Sequence, residues 1–165
     1  MKLRILSVFA AAALLAACET APDSTATTGG DGASTSSSSA SSSTTLSESS
    51  PEWFAVNVGD RVFFGFDKYD LAGEARRTLE LQAAWLKKYP QYKVVVEGHA
   101  DERGTREYNL ALGERRANSV KDYLVALGID PSRVETISYG KERPVALGHD
   151  EESWAKNRRS VSVIR

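Results

Sequence analysis

Residues 94–109 read Val94-Val95-Val96-Glu97-Gly98-His99-Ala100-Asp101-Glu102-Arg103-Gly104-Thr105-Arg106-Glu107-Tyr108-Asn109, and the periodicity changes in the middle of this run. Tyr92 to Gly98 reads as a strand, and the unbroken apolar triplet Val94–Val96 is typical of a strand covered on both faces. Gly98 and Gly104 bracket a polar turn. From Thr105 to Leu127 the apolar spacing becomes helical, with Leu112, Val120, Leu124 and Leu127 inward and Gly128 as a stop signal.

Working outward, Val134 to Tyr139 supplies the next strand and completes a strand–helix–strand unit. Upstream, the β-branched and aromatic run Arg61–Phe66 reads as a strand. Asp70 is placed to cap a helix from Leu71 to about Tyr89, whose inner face carries Leu71, Ala75, Leu79, Ala83 and Leu86 and which Pro90 ends. Downstream, Asp150 caps a short helix to Asn157, and Ser160–Ile164 forms a last strand. The order is βαβαβαβ. The expected fold class is α/β, an α+β sandwich with helices packed on a small mixed four-stranded sheet.

The first 50 residues have a different physics. Lys2 and Arg4 precede an apolar stretch, Ile5 to Ala17, interrupted only by Ser7. It is too short to span a bilayer, which needs about 20 residues, and it matches the core of a secretory signal peptide. Leu15-Ala16-Ala17-Cys18 resembles a bacterial lipobox, which implies cleavage after residue 17 and acylation of Cys18. Two or more acyl chains are enough for stable membrane attachment without a spanning helix. From Glu19 to Ser50 the chain is nearly all Ser, Thr, Ala, Gly and Asp, with Leu46 its one large apolar side chain. Such a stretch cannot offset the entropy of ordering and reads as a flexible tether. Three parts follow: a lipoprotein signal peptide (1–17), a lipidated Cys with its tether (18–50), and a folded domain (51–165).

Composition excludes several function classes. The formal net charge is −1, and the folded part carries 19 basic against 18 acidic residues. That balance argues against nucleic acid as a partner. One Cys forbids an internal disulfide, and two His, fifty residues apart, do not make a zinc site. No metal and no cofactor are expected.

The strand-to-helix turn is where a binding site is expected, because ligands of open α/β sheets collect beyond the carboxyl ends of strands. Asp101 sits at that rim. Asn109, Leu112 and Arg116 share one face of the following helix. Asp101 and Arg116 can flank one pocket, the anion for an ammonium and the forked cation for a carboxylate. The same two side chains can equally pair with each other or cap elements.

The run Gly98–Thr105, with Tyr108-Asn109 and Leu112-Gly113-Glu114-Arg115-Arg116-Ala117, resembles the binding motif of outer-membrane-protein-A-like domains. Ser138–Pro144, Gly148–Glu151 and Asn157-Arg158-Arg159 place the chain near that family's lipid-anchored branch, which works with the Tol proteins. The likeness covers about residues 58–165. It implies an outer-membrane lipoprotein whose domain, in the periplasm, binds peptidoglycan at the meso-diaminopimelate of its stem peptide. It also implies TolB and other Tol proteins as partners, in envelope integrity and cell division. The motif assigns the ligand's ammonium to Asp101 and its carboxylate to Arg116, with Phe66, Asp67, Thr105, Tyr108 and Asn109 completing the pocket and Leu112 beneath. Replacing Asp101 or Arg116 by Ala is expected to abolish wall binding with the fold intact.

His99 and His149 are expected to be structural, Arg115 to face solvent or pair with Glu114 or Asp122, and Arg158 and Arg159 to form structural ion pairs or else to support the pocket from the last strand. Trp53, Phe54, Trp85 and Trp154 divide between core and partner surface. A peptidoglycan hydrolase is the rival from another class. It would need clustered metal ligands or two facing carboxyl groups, and no spacing here demands either. A second alternative is a wall-binding lipoprotein of the same family outside the Tol system.

Overall fold

The computed structural model describes residues 46–165; the expected signal peptide, Cys18 and most of the expected tether lie outside the described residues. Four strands form one mixed sheet in the order β1-β4-β2-β3: β1 (Arg61–Phe63), β2 (Val94–His99), β3 (Val134–Gly140) and β4 (Arg159–Ile164). β2 and β3 are parallel, with Val96 opposite Thr136, while β4 runs antiparallel to both β1 and β2. Helices α2 (Gly73–Lys88) and α3 (Arg106–Ala126) pack on this sheet, and α4 (Glu151–Asn157) leads into β4. The βαβαβαβ order and the mixed sheet expected from periodicity are therefore observed.

The core lies between sheet and helices. Val94 and Val96 meet Leu79 and Leu86 of α2 and Ala117, Val120 and Leu124 of α3, all buried. Trp85 is a second centre, its ring 4.9 Å from Phe54, 4.8 Å from Tyr89 and 5.3 Å from Tyr92. Its indole N–H donates to the Glu48 carbonyl at 2.8 Å, so the folded packing reaches back to Glu48, into the segment expected as tether.

Two local expectations are corrected and one unexpected element is added. A short helix α1 (Pro51–Trp53) continues as a π-helical stretch, Phe54–Gly59, that periodicity did not reveal. β1 ends at Phe63 rather than Phe66, because the chain turns at Gly65 and takes up a left-handed conformation at Asp67, with φ 56°. Asp70 does not cap α2; Ala72 occupies the N-cap, without a side-chain bond.

One contact positions the site. α3 crosses β2 with Gly113 against Gly98, and a methyl group on Gly98 would collide with the Gly113 carbonyl. Two residues without side chains let the helix approach the strand closely. The start of α3 is thereby held beside the carboxyl end of β2.

Candidate functional site

Beyond His99 the chain leaves the sheet, and Asp101, Arg103 and Gly104 form one wall of a cleft of about 210 Å³. Phe66 and Asp67, from the turn after β1, form the second wall, and Tyr108, Asn109 and Leu112 of α3 close it. Thr105 starts the helix: its hydroxyl accepts from the Tyr108 N–H at 3.2 Å, an N-cap that fixes the first turn. The buried Asn109 amide donates to the carbonyls of Arg103 at 2.8 Å and Thr105 at 3.1 Å, tying loop to helix. The Tyr108 hydroxyl bonds the Asp67 carboxylate across the cleft, and this bond, more than any other cause, raises the phenol's pKa. A non-glycine residue in the left-handed region carries backbone strain, and Asp67 carries it at the cleft wall.

Asp101 is buried and doubly paired. Arg103 reaches it with two bonds, Nη2 to Oδ2 at 2.7 Å and Nε to Oδ1 at 3.2 Å, and Arg158 Nη1 approaches Oδ2 at 3.4 Å. Burial pushes the Asp101 carboxyl up, but the bonds from Arg103 and then Arg158 outweigh it and hold the group below its ordinary value. Asp101 is an anion throughout the neutral range. The Arg103 guanidinium lies 4.1 Å from the ring centre of Phe66 and 4.1 Å from that of Trp154. It is a cation held between two aromatic faces, each contact contributing about 0.5–1 kcal/mol at an exposed site.

Five of the seven expected pocket residues, Phe66, Asp67, Asp101, Tyr108 and Asn109, line the cleft. Thr105 caps the helix instead. Arg116 lies outside the lining, at 0% exposure, with its guanidinium donating to the carbonyls of Lys68 (2.8 Å), His99 (2.8 Å) and Gly65 (3.1 Å). Burial is the largest influence on it and lowers its pKa to about 10, so it remains a cation near Asp101 and Asp67. It does not pair with Asp101. It ties the turn after β1 to the end of β2, the two segments whose separation sets the cleft's width.

Arg103 and Trp154 were missed as pocket neighbours. Arg103 was inside the quoted motif, but a turn residue has no periodicity to say where it points. Arg158, at the C-cap of α4 just before β4, supports the site as one of its two sequence readings allowed, with further bonds to the Phe64 carbonyl and Glu151. Arg115 forms no ion pair with Glu114 or Asp122; its guanidinium lies over Tyr69 at 5.6 Å and Tyr108 at 5.9 Å. His149 is exposed, and its Nδ1 lies 2.8 Å from Glu102. His99 is buried at 2% exposure with neither ring nitrogen hydrogen-bonded, and burial first, then Arg159 and Arg143, pushes its pKa down to about 4. It is neutral at pH 7, so its 3.7 Å approach to Glu97 is not an ion pair. Among the described residues no group of His, Cys, Asp and Glu is arranged to hold a metal.

The cleft is smaller than the 300–1,000 Å³ common for whole small-molecule ligands. It suits the end of a side chain, with a fixed anion, forked cations and aromatic walls. Known proteins resemble this chain in sequence and in fold. Residues 63–158 match the OmpA family. Over 115 residues the chain is 56% identical to the peptidoglycan-associated lipoprotein of Rhizobium meliloti, covering 70% of this chain but only 65% of that relative's length. The protein of the same name from Mesorhizobium japonicum is also 56% identical, with 68% of its length covered. The crystal structure of the peptidoglycan-associated lipoprotein from Burkholderia pseudomallei superposes with a TM-score of 0.66 at 43% identity, covering 70% of this chain and 100% of that one. On sequence and fold together, the chain belongs to the OmpA family.

Proposed function

We propose that this chain is an outer-membrane lipoprotein that binds peptidoglycan without covalent attachment, holding the meso-diaminopimelate of the stem peptide in the Asp101 cleft. Relatives named peptidoglycan-associated lipoprotein support the wall as target. The observation that carries the pocket assignment is the buried, ionised Asp101 in a side-chain-sized cleft with forked cations around it.

The far end of diaminopimelate carries both an ammonium and a carboxylate. In the free protein Arg103 holds the Asp101 carboxylate, so binding is an exchange: the ligand's ammonium takes up Asp101. The Arg103 guanidinium, still stacked between Phe66 and Trp154, then turns its donors to the ligand's carboxylate. Arg116 contributes from beneath, as a cation and as the brace that fixes the cleft's width. Lysine lacks that carboxylate and leaves the cations unanswered, which is the physical basis for choosing between wall types.

The reading is of binding, not catalysis. A glycosidase needs a carboxyl group that keeps its proton at neutral pH, and Asp101 is held in the opposite state. Acylation at Cys18 would anchor the chain in the outer membrane, the tether would let the periplasmic domain search the wall, and TolB and other Tol proteins would be its partners in division and envelope integrity. That group of roles rests on the resemblance of the sequence motifs.

Co-sedimentation with purified sacculi tests the site. Wild-type chain should be retained on diaminopimelate-type wall and less on lysine-type wall. Asp101→Asn and Arg103→Gln should each weaken retention about tenfold or more, the scale of one charge-assisted hydrogen bond. Equal retention of both variants, or of wild type on both walls, removes the assignment. Release of soluble muropeptides would restore the hydrolase.

A further inference from the structure

β3 is an edge strand: among the described residues it pairs with β2 alone, and it is longer than β1, the edge strand at the other side. Unpaired edges invite a further strand unless Pro, Lys or shortness blocks them. β3, Val134-Glu135-Thr136-Ile137-Ser138-Tyr139-Gly140, has no Pro or Lys and spans seven residues; its one charge is Glu135, and a register irregularity opposite Gly98 and His99 leaves Val134–Ser138 as the regular edge. Beside it runs a groove of about 590 Å³ between Thr136–Ser138 and one flank of α3. That flank presents Glu107, Leu110, Ala111 and Glu114, an acid–apolar–apolar–acid stripe at helical spacing. Leu110 is 49% exposed and Ile137 39%. Glu107 and Glu114, with Glu135 on the strand, form no ion pair among the described residues.

We propose that this groove docks an extended segment of a partner protein, which adds a fifth strand beside β3. The segment carries an apolar residue flanked at alternate positions by Lys or Arg. Glu107 and Glu114, seven residues apart on a helix, are about 10 Å apart along its axis. Residues four apart on a strand share one face about 13 Å apart, within reach of flexible basic side chains. A Lys-x-Val-x-Lys pattern therefore sets a valine against Leu110 and Ala111 and a lysine near each carboxylate. A second copy of this chain is the wrong occupant, because self-pairing would bring the glutamates of both copies together. An anionic lipid surface is repelled for the same reason.

The test is an NMR titration of the ¹⁵N-labelled chain with acetyl-Thr-Lys-Thr-Val-Thr-Lys-Thr-amide. Saturable shifts are expected at Thr136–Ser138 and Leu110–Ala111, with retention on sacculi unchanged by the groove variants. Leu110→Arg and Glu107→Lys should each weaken the peptide about tenfold. Of two peptides N-methylated at alternate residues, one should bind and the other should not, since only one set of amides faces β3. No saturable shifts at millimolar peptide, equal binding of both methylated peptides, or a dimer in sedimentation that Leu110→Arg dissociates, would each overturn the proposal.

Discussion

The two flanks of α3 treat charge in opposite ways. Toward the cleft, the charge on Asp101 meets Arg103 and Arg158, Asn109 is bonded twice, and Arg116 spends its donors on three carbonyls. Toward β3, Glu107 and Glu114 stand beside exposed Leu110 without ionic partners among the described residues. The cleft is a preorganised site that exchanges one set of bonds for another when it binds. The groove is a surface whose carboxylates have no cationic partner among the described residues, Glu114 accepting only neutral donors from Asn118 and Thr136. Buried groups must be satisfied from within the chain, whereas solvated ones can wait for a partner.

The largest effect should come from the cleft's brace. Arg116→Ala leaves the buried His99 carbonyl and the partly buried Lys68 carbonyl without the guanidinium, and the Gly65 carbonyl with only the Lys68 N–H. With about 1–3 kcal/mol for the buried unsatisfied carbonyl and a cavity where a fully buried side chain stood, the loss should reach roughly 3 kcal/mol or more. Urea denaturation measures it, and Arg116→Lys should recover little, since one ammonium cannot reproduce the planar fork. The expected loss of wall binding by Arg116→Ala is therefore read only beside its stability, and Asp101→Asn, which keeps an acceptor for Arg103 and Arg158, is read on sacculi with the same denaturation control. Near-native stability of Arg116→Ala would break the contrast between the flanks.

A smaller effect, of the same side, lies in acid. The carbonyl of His99 is held by Arg116, and its ring is enclosed near Tyr139, Glu97, Arg143 and Arg159. A His whose folded pKa falls from 6.5 to about 4 binds its proton more readily when unfolded. Its contribution is thus complete above pH 6.5 and is lost as pH falls toward 4, on the order of 3 kcal/mol across that window. His149 has the opposite sign, raised by Glu102, but it is fully exposed and screened. His99→Gln should flatten the stability profile between pH 6.5 and 4, as followed by denaturation at each pH. An unchanged slope would mean the ring reaches solvent.

The same contrast explains what the sequence could tell. Strands and helices were legible because Val94–Val96, Leu79–Leu86 and Leu112–Leu124 repeat with the periods of buried elements. The π-helical turn at Phe54–Gly59 has no such repeat, and Asp70 looked like a cap although the helix begins two residues later, after Ala72. Asp101 was legible as a rim residue. Arg116 was placed on the right face of α3, but one-dimensional spacing does not give depth, and depth decides whether a guanidinium meets a ligand or a carbonyl. Arg103 owes its position to Phe66 and Trp154, which come from two other segments, and no local pattern encodes that meeting.

The smallest expected effect is on the groove side, and it is the most discriminating. Glu107→Gln and Glu114→Gln should each shift stability at pH 7 by no more than about 0.5 kcal/mol, as for surface substitutions away from special features. Glu107 lies in the first turn of α3, where an acid favours the helix dipole, so its loss should be the larger of the two. Glu114 accepts from Asn118 at 3.2 Å and Thr136 at 3.4 Å through one oxygen, which glutamine retains. Thermal denaturation of both variants distinguishes two meanings of an unpaired carboxylate. If stability barely moves, those charges are not maintained for the fold, and their position beside an open strand edge needs another reason. A loss comparable to that of Arg116→Ala would make the groove part of the scaffold, and the two flanks of α3 would then serve one purpose.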